Sequence, residues 1–204
     1  SQDISIAILR VNAINKRSGA SKISEKWPIM AQRDIERVII GCKKGNEGCF
    51  TQLVDIYGRR CFGYFYRLTG NRDLSEELLS ELFAKLVEKI GSYRGGSFDG
   101  WVFTMASNIF RDHLRFKQRQ TRLLDEHSKR IMSQSAGVIG GKNDDADKLQ
   151  MVLGELDDDV RELIMMRFYS QMSFKEIAES RREPIGTTLS KVHRGLKKLR
   201  KLMG

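Results

Sequence analysis

Apolar residues recur every three or four positions through most of this chain, and that spacing restricts the fold more than any other feature of the sequence. In residues 74–90 two adjacent apolar rows follow the helical period, and they comprise Leu78, Leu82, Leu86, Ile90, Leu79, Phe83 and Val87. An apolar stripe this broad must be covered by other parts of the protein. The alternation typical of a β-strand is confined to the short run Ile4, Ile6 and Ile8. We therefore predict an all-α fold.

Polar and glycine-rich segments divide the predicted helices into two domains. The first spans residues 33–117, with helices beginning near residues 34, 50, 74 and 101. The second spans residues 144–204, with helices beginning near residues 147, 160, 174 and 184. The polar segment 118–143 has glycines near its end and is predicted to be a flexible linker. Residues 1–32 are predicted to be an N-terminal extension, either a tail or a docking segment.

The end of the second domain has the pattern of a helix-turn-helix. Ser173 and Glu176 fit a capping box, in which each side chain accepts a hydrogen bond from a backbone N–H. Residues 181–183 fill a turn, and Pro184 suits the first position of the next helix. Apolar residues of that helix form one stripe, Ile185, Leu189, Val192, Leu196, Leu199 and Met203. Its other side carries Thr187, Ser190, Lys191, Arg194, Lys197, Lys198 and Lys201.

No acidic residue occurs between Ile185 and Met203, so nothing on this helix would repel phosphate. Such a helix suits the major groove of double-stranded DNA, with cations on phosphates and early polar side chains near base edges. The alternative is an ordinary amphipathic helix with a solvated basic face. The formal net charge of +10 also favours a nucleic-acid partner. Residues 144–162 instead hold eight acids, which suggests separate surfaces for separate partners.

A second segment that combines basic and aromatic residues lies in the first domain. The helix from Trp101 becomes basic towards its end, where the cations are Arg111, Arg115, Lys117, Arg119 and Arg122. The aromatic residues beside it are Tyr93, Phe98, Trp101 and Phe103. Aromatic rings next to cations suit single-stranded nucleic acid, whose bases stack and whose phosphates need neutralising. The alternative places Phe98 and Trp101 in the core.

The sequence predicts no metal site, no cofactor and no catalytic residue. The three consecutive carboxylates of residues 157–159 suit the start of a helix, and they cannot all face one ion. The chain has three cysteines, Cys42, Cys49 and Cys61, and no two of them form a CxxC pair. An odd number of cysteines without such a pair fits a reduced compartment. No apolar run reaches membrane-spanning length, and the first residues lack the pattern of a signal peptide. We therefore expect a cytoplasmic protein that does not insert into a membrane.

Six segments of the chain form an ordered series of motifs, and they are residues 77–83, 93–95, 97–98, 101–115, 184–187 and 190–194. In content and order this series resembles the extracytoplasmic-function (ECF) class of bacterial sigma factors, the promoter-recognition subunits of RNA polymerase. The resemblance covers about residues 33–203. It implies a non-enzymatic initiation factor with a region 2-like first domain and a region 4-like second domain. The implied partners are the beta-prime and beta subunits of core polymerase and promoter DNA, both double-stranded and melted.

The resemblance also implies roles for particular residues. The helix over residues 74–90 matches the one that docks on a coiled coil of the polymerase beta-prime subunit, which implies contacts by Glu77, Leu78, Glu81, Leu82 and Glu88. Binding to the minus-10 element is implied for Tyr93, Arg94, Phe98, Asp99, Trp101, Asn108, Arg111 and Arg115. Binding to the minus-35 element is implied for Thr187, Ser190, Lys191, Arg194, Lys197 and Lys198.

Two features depart from the family pattern or are left open by it. Arg182 and Glu183 stand where the turn usually has a glycine and an aliphatic residue, and Thr188 replaces a common valine, so this turn must use different capping. The residue that captures a flipped base is open among Phe98, Asp99 and Asn108. Many members are restrained by a partner anti-sigma factor. The sequence leaves open whether this chain has such a partner or uses its own extension instead.

Two other functions compete with this interpretation. A helix-turn-helix regulator would bind its operator tightly without polymerase, which a gel shift tests. An enzyme, such as a recombinase or nuclease with a helix-turn-helix tail, needs clustered acids for a metal or a nucleophile near arginines. Asp99 and Asp112 are too isolated for that role. The histidines also lack partners in the sequence, and they are His113, His127 and His193. The sigma factor interpretation is therefore preferred.

Overall fold

The computed structural model describes residues 32–127 and 144–203, and these residues form helices without any strand. The helices of the first domain are α1 (Gln32–Lys43), α2 (Glu47–Thr69), α3 (Arg72–Lys89) and α4 (Phe98–His127), with a short 3-10 turn at Ile90–Ser92. Those of the second domain are α5 (Asp144–Gly154), α6 (Asp158–Ser170), α7 (Phe174–Arg181) and α8 (Ile185–Met203). The prediction of two helical domains in an all-α fold is confirmed.

Local signals in the sequence account for the helix ends of the first domain. The Asn46 side chain caps α2 by accepting a hydrogen bond from the Cys49 N–H at 3.1 Å. Gly70 ends α2 in the left-handed region at φ 64°, where a residue without Cβ is favoured. The Asn71 side chain then caps α3 by accepting from the Leu74 N–H at 3.0 Å. The chain therefore reverses within a few residues, and α2 and α3 pack against each other.

The core of the first domain is built from the apolar faces of α1, α2, α3 and α4. Fully buried side chains in it include Tyr64, Phe65, Leu79, Leu82, Phe103 and Phe110. The two apolar rows predicted on α3 supply much of this core, as expected from their width. None of the described helices is both long and apolar enough to span a bilayer.

Helix α4 is longer at both ends than the sequence pattern predicted. It begins at Phe98, and just before it the Ser97 side chain accepts a hydrogen bond from the Gly100 N–H at 3.0 Å. It continues to His127, so the prediction of a linker from residue 118 is wrong for residues 118–127. A helix can extend beyond the core with polar, exposed side chains, and polarity alone therefore did not mark its end. The rest of the predicted linker and residues 1–31 lie outside the described residues.

The second domain contains the predicted capping box. The Ser173 side chain accepts from the Glu176 N–H at 3.2 Å, and the Glu176 carboxylate accepts from the Ser173 N–H at 2.8 Å. The hydrogen bonds from the Ser173 hydroxyl and backbone hold the pKa of Glu176 below its ordinary value. Helix α7 therefore begins where the sequence predicted a helix.

The buried face of α8 is rotated away from the predicted apolar stripe. Val192 and Leu199 are buried as predicted, but three other members are 43–47% exposed, and they are Ile185, Leu189 and Leu196. The face that packs on the domain includes Thr188 and Gly195 instead. A Cβ at Gly195 would lie 2.4 Å from Val160 Cγ1, so the missing side chain lets α8 approach α6 closely. The apolar stripe therefore does not coincide with the buried face of α8 at these three positions.

Gly195→Ala is expected to destabilise the second domain by about 1–3 kcal/mol, because the added methyl group overlaps Val160 and Ile164. Chemical denaturation followed by circular dichroism measures the loss. The matched control is Gly186→Ala on the same helix, where a Cβ meets nothing within 4 Å. An equal response of the two variants would contradict the close approach of α8 to α6.

Candidate nucleic-acid and protein interfaces

The exposed side of α8 is a cationic surface. A shallow groove of about 590 Å³ on it is lined by Arg194, Lys197, Lys198, Arg200 and Lys201. Ser190 is exposed on the same helix, Thr187 is half-buried, and Lys198 donates to the carbonyl of Glu155. Because α8 carries no acid, the groove suits a polyanion.

Lys191 differs from the other predicted cations of α8 because its ammonium forms two ion pairs inside the domain. Its Nζ lies 2.8 Å from the Asp159 carboxylate and 2.9 Å from the Glu183 carboxylate. These hydrogen bonds raise the pKa of Lys191. The ammonium therefore fixes the turn between α7 and α8, which its position in the sequence did not indicate, and its contact with the minus-35 element stays a prediction.

The departures from the family pattern in this turn are coupled to each other. The Thr188 hydroxyl donates to the Glu183 carboxylate at 2.6 Å, and Thr188 is fully buried. Arg182 ends α7 in the left-handed region at φ 55°, where its backbone N–H reaches carbonyls of the preceding turn. The different capping that the sequence required thus has two parts. One is the hydrogen bond between Thr188 and Glu183, and the other is the left-handed backbone of Arg182.

A buried network of ion pairs holds the turn between α7 and α8 in place. The Arg181 side chain is 6% exposed and contacts the carboxylates of Asp159, Glu162 and Glu183, with 2.5 Å to Glu162 Oε2. Burial raises the pKa of Glu162, and the charges of Arg181 and Arg111 only partly offset this. Burial alone would also raise the pKa of Asp159. The hydrogen bond from Lys191 and the charge of Arg181 nevertheless hold that pKa below its ordinary value.

The aromatic residues predicted to stack on bases are packed mainly against one another. Tyr93 and Phe98 are 8% and 3% exposed, with ring centroids 5.1 Å apart, and Trp101 is half-buried beside both. The Tyr93 hydroxyl donates to the Gly96 carbonyl at 2.6 Å. The assignment of Tyr93 and Phe98 to direct DNA contact is therefore corrected, because these rings shape the loop before α4 from inside.

Asp99 is also committed to contacts within the protein. Its carboxylate accepts two hydrogen bonds from the Arg60 guanidinium, at 3.0 and 3.1 Å, and one from the Tyr57 hydroxyl at 2.6 Å. Burial and the charge of Asp99 raise the pKa of Tyr57. Asp99 thus anchors the first turn of α4 to α2, and because its side chain is still 32% exposed, its role at the minus-10 element stays a prediction.

A second cationic cleft lies between α3 and α4. It has a volume of about 370 Å³ and is lined by Lys85, Lys89, Met105, Asn108, Arg111, Asp112 and Arg115. Asn108 and Arg115 are exposed, as is the nearby loop residue Arg94. The predicted minus-10 residues Asn108, Arg111 and Arg115 are therefore brought together.

The sequence analysis missed two residues that line this cleft and one exposed aromatic residue of α4. Lys85 and Lys89 line the cleft. They are four residues apart near the end of a predicted helix, so the sequence already placed them on one face of that helix. Phe116 is 57% exposed and directly follows Arg115. An exposed aromatic ring among cations is the combination that suits a single strand.

The residues of α3 that the resemblance implies for polymerase binding are only partly at the surface. Glu77, Glu81 and Glu88 are exposed, and Glu81 pairs with Lys85 at 2.6 Å. Leu78 and Leu82 are 3% and 0% exposed, so they belong to the core and their assignment as partner contacts is corrected. Among the described residues, no cluster of histidine, cysteine or acidic side chains could hold a metal ion.

Comparison with known proteins gives two family matches and similar curated proteins. Residues 53–120 match the family model for Sigma-70 region 2, and residues 146–199 match that for Sigma-70, region 4. The chain is 28% identical over 179 residues to the ECF RNA polymerase sigma factor SigW of Bacillus subtilis (strain 168), covering 82% of this chain and 95% of SigW. It is 30% identical over 168 residues to the RNA polymerase sigma factor CarQ of Myxococcus xanthus, covering 79% and 93%.

Solved structures with a similar fold include two complexes. One is the sigma factor RpoE with the anti-sigma factor NepR from Bartonella quintana, with a TM-score of 0.59, 20% identity, and coverage of 84% of this chain and 95% of that chain. The other is CnrH with the cytosolic domain of CnrY, with a TM-score of 0.59, 20% identity, and coverage of 82% and 95%. At this identity the likeness concerns the fold.

Proposed function

This chain belongs to the ECF family of RNA polymerase sigma factors, and from that membership we propose that it binds core RNA polymerase and directs promoter recognition, DNA melting and transcription initiation. One observation carries the proposal. Each of the two domains, which match regions 2 and 4, presents its own cationic cleft. Two separate cationic surfaces on one chain suit two separate stretches of one DNA molecule.

We assign the minus-35 element to α8. Arg194 and Lys197 are exposed on an acid-free helix and would neutralise phosphates. Lys198 lines the same groove, and its ammonium would have to leave the Glu155 carbonyl to reach DNA. Ser190 and Thr187 near the start of the helix are placed for contacts with base edges in the major groove. The buried network around Arg181 fixes the turn and thereby the angle at which α8 leaves the domain.

We assign the melted minus-10 element to the cleft between α3 and α4. Its cations would hold the phosphates of one strand, with Lys85 and Lys89 on one wall and Arg111 and Arg115 on the other. Unstacking a base costs a few kcal/mol, and stacking on an exposed ring offsets much of this cost. Phe116 is an exposed aromatic residue of α4 that follows Arg115 in the sequence, and we propose it as the stacking ring. Tyr93 and Phe98 support the loop rather than touch DNA.

We assign the acidic ridge, defined as Glu77, Glu81 and Glu88, to the polymerase beta-prime subunit. All three carboxylates are exposed on α3, whose opposite face is buried. A ridge of one sign favours a basic partner surface and speeds association with it. A factor that acts on core polymerase works where the polymerase is, so we propose a cytoplasmic location. A restraining anti-sigma factor is a further proposed partner, as in the complex of RpoE with NepR.

Run-off transcription on a pool of genomic promoter fragments tests the function. We expect discrete, promoter-specific transcripts only when this protein and core polymerase are both present. The absence of transcripts from every fragment in the pool would count against the proposal. A helix-turn-helix regulator that acts without core polymerase would instead shift promoter fragments tightly in a gel without it.

Lys197→Ala is expected to weaken binding of the holoenzyme to promoter DNA without changing which promoter is preferred, because Lys197 is placed for phosphate contact. The slope of log affinity against log salt should fall in magnitude by about one. Fluorescence anisotropy over a salt series measures both quantities. The matched control is Lys44→Ala, which removes an exposed lysine from the first domain. If both variants changed the slope equally, Lys197 would have no special place at the DNA.

A further inference from the structure

Three large apolar side chains form an exposed row along one side of α8. Ile185, Leu189 and Leu196 are 46%, 43% and 47% exposed. Successive members are four and seven residues apart, so all three lie on the same side of the helix. Single apolar residues are common on protein surfaces, but a row of them marks a contact surface. The row borders the cationic groove of the same helix, so a partner bound in that groove also meets the row.

The packing of α8 fixes the direction in which this row faces. Thr188 and Gly195 are buried on the side that meets the rest of the domain. A Cβ at Gly195 would lie 2.4 Å from Val160 Cγ1, so larger residues of α8 cannot take its place against α6. Leu189 directly follows Thr188 and is therefore turned by about 100° away from the packed side. The exposure of Leu189 is thus a fixed consequence of how the helix is seated.

The start of α8 offers no cation for reading guanine. Residues 185–190 contain neither a cation nor an acid. The first cation of the helix is Lys191, whose Nζ lies 2.8 Å from the Asp159 carboxylate and 2.9 Å from the Glu183 carboxylate. Guanine is most often read by arginine or lysine, and the first residues of a recognition helix contact the base edges. The part of α8 nearest the bases therefore presents hydroxyl and apolar groups.

An apolar side chain in the major groove discriminates between bases. The methyl group of thymine is the apolar group on the base edges there, and the other groups are hydrogen-bond donors and acceptors. A leucine placed against a guanine edge would displace water from its acceptors and leave them without partners. Against a thymine methyl group, two apolar surfaces leave water together, which is favourable. Exposed leucine or isoleucine at the depth of the bases therefore selects thymine.

We propose that Leu189, together with Ile185 one turn before it, reads the methyl groups of thymines in the DNA bound by α8. This inference rests on the proposed function, which assigns α8 to the minus-35 element. Leu196 lies seven residues beyond Leu189, or about 10 Å along the helix at 1.5 Å per residue. It stands next to Lys197, which we place at the phosphates. Leu196 is therefore outside the part of the helix that reads bases.

Replacement of thymine by uracil tests the proposal, because uracil lacks the methyl group and keeps every hydrogen-bonding group of the base edge. The probe is the promoter fragment that gives the strongest run-off transcript with the wild-type protein and core polymerase. Thymines within about one helical turn of DNA around the minus-35 position are replaced one at a time. Fluorescence anisotropy measures the affinity of the holoenzyme for each fragment. We expect some replacements to weaken binding about fourfold, the effect of losing one buried methyl group.

Variants of α8 identify the residue that meets each methyl group. Leu189→Ala should bind the unmodified promoter about fourfold more weakly, and uracil at one sensitive position should then cause no further loss. Ile185→Ala should behave in the same way at a neighbouring sensitive position. The matched control is Leu196→Ala, which removes a side chain of similar exposure and should keep the full loss at every sensitive position. Each comparison uses one variant on two DNAs, so a general loss of stability does not affect it.

Several results would overturn the methyl-reading proposal. Insensitivity of the wild type to uracil at every position would show that no methyl group is read. A full uracil loss in both Leu189→Ala and Ile185→Ala would assign the reading to other residues. Weaker binding of Leu189→Ala to core polymerase without DNA would assign the apolar row to a protein partner.

Failure of the proposed function gives a different result. In that case no fragment yields a run-off transcript, and the uracil replacements are made in duplexes that the full-length protein alone selects from a random library. A uracil loss that disappears in Leu189→Ala would then support methyl reading and contradict only the sigma factor activity. No uracil loss in those duplexes would overturn both.

Discussion

Arg181→Leu is expected to unfold the second domain at conditions where the wild type is stable, lowering the free energy of unfolding by about 3–5 kcal/mol. The Arg181 side chain is 6% exposed and contacts the carboxylates of Asp159, Glu162 and Glu183. Its loss leaves Glu162, itself 2% exposed, with a single distant cation at 3.5 Å. An unpaired buried carboxylate is among the costliest defects that one substitution can create.

Denaturant unfolding followed by circular dichroism measures this effect. The matched control is Arg182→Leu, the same substitution at the next residue, whose side chain is exposed at the end of α7. That change is expected to alter the free energy of unfolding by about 0.5 kcal/mol or less. Similar losses in the two variants would mean that the cost comes from the general removal of positive charge and not from the buried network.

The same ion network predicts how the loss of stability in Arg181→Leu depends on pH. The pKa values of Asp159 and Glu183 lie below their ordinary values of 3.8 and 4.5. Their contribution to stability is therefore present above the ordinary values and is lost as the pH falls through the lowered ones. In Arg181→Leu, protonation of the buried Glu162 carboxylate removes its unpaired charge. The difference in the free energy of unfolding between Arg181→Leu and the wild type should thus become smaller as the pH falls from neutral to about pH 4. A difference that stays constant over this range would contradict this account.

Features that depend on neighbours in the sequence could be predicted from it. The capping box of Ser173 and Glu176 involves residues three positions apart, and the end of α2 at Gly70 needs only a glycine at the right place. The apolar rows of α3 likewise reveal a buried face by their period alone. In each case the signal and the structure it specifies lie within one or two helical turns. The fold class and the helix-turn-helix follow from such signals.

Charged residues on α8 show where this kind of prediction ends. Lys191 and Lys197 are alike in the sequence, both being lysines on a helix without acids. Only Lys191 meets Asp159, which comes from α6, and Glu183, which comes from the turn. Whether a cation faces solvent or a carboxylate is decided by the packing of another helix. The sequence therefore predicted the charge of the surface correctly but could not assign each residue to it.

Aromatic and small residues were misread for a related reason. Tyr93 and Phe98 have the composition of a stacking surface, yet they fill the inside of their loop. Gly195 turns the buried face of α8 because it lacks a side chain, and a missing side chain leaves no trace in a pattern of apolar residues. Phe116, by contrast, was overlooked among cations and is exposed. Residue type alone does not determine on which side of the surface a ring lies.

Reversing the charge of the acidic ridge is expected to weaken binding to core polymerase about 100-fold. The variant replaces Glu77, Glu81 and Glu88 with lysine. Each exposed charge contributes about 1 kcal/mol or less to an ionic contact, and three reversals therefore cost about 3 kcal/mol in total. Leu78 and Leu82 are left unchanged because they lie in the core, where substitution would disturb the fold.

Titration of labelled protein with core polymerase measures this affinity, and circular dichroism checks that the helices remain. The matched control reverses three exposed acids elsewhere on the first domain, namely Asp34, Glu36 and Asp55. Only the ridge variant should lose affinity, and its loss should shrink at high salt because exposed charges are screened. Equal losses in both variants would mean that polymerase responds to the net charge of the domain. Unchanged binding of the ridge variant would show that the acidic ridge of α3 does not contact polymerase, and the docking surface would then lie on another exposed helix face.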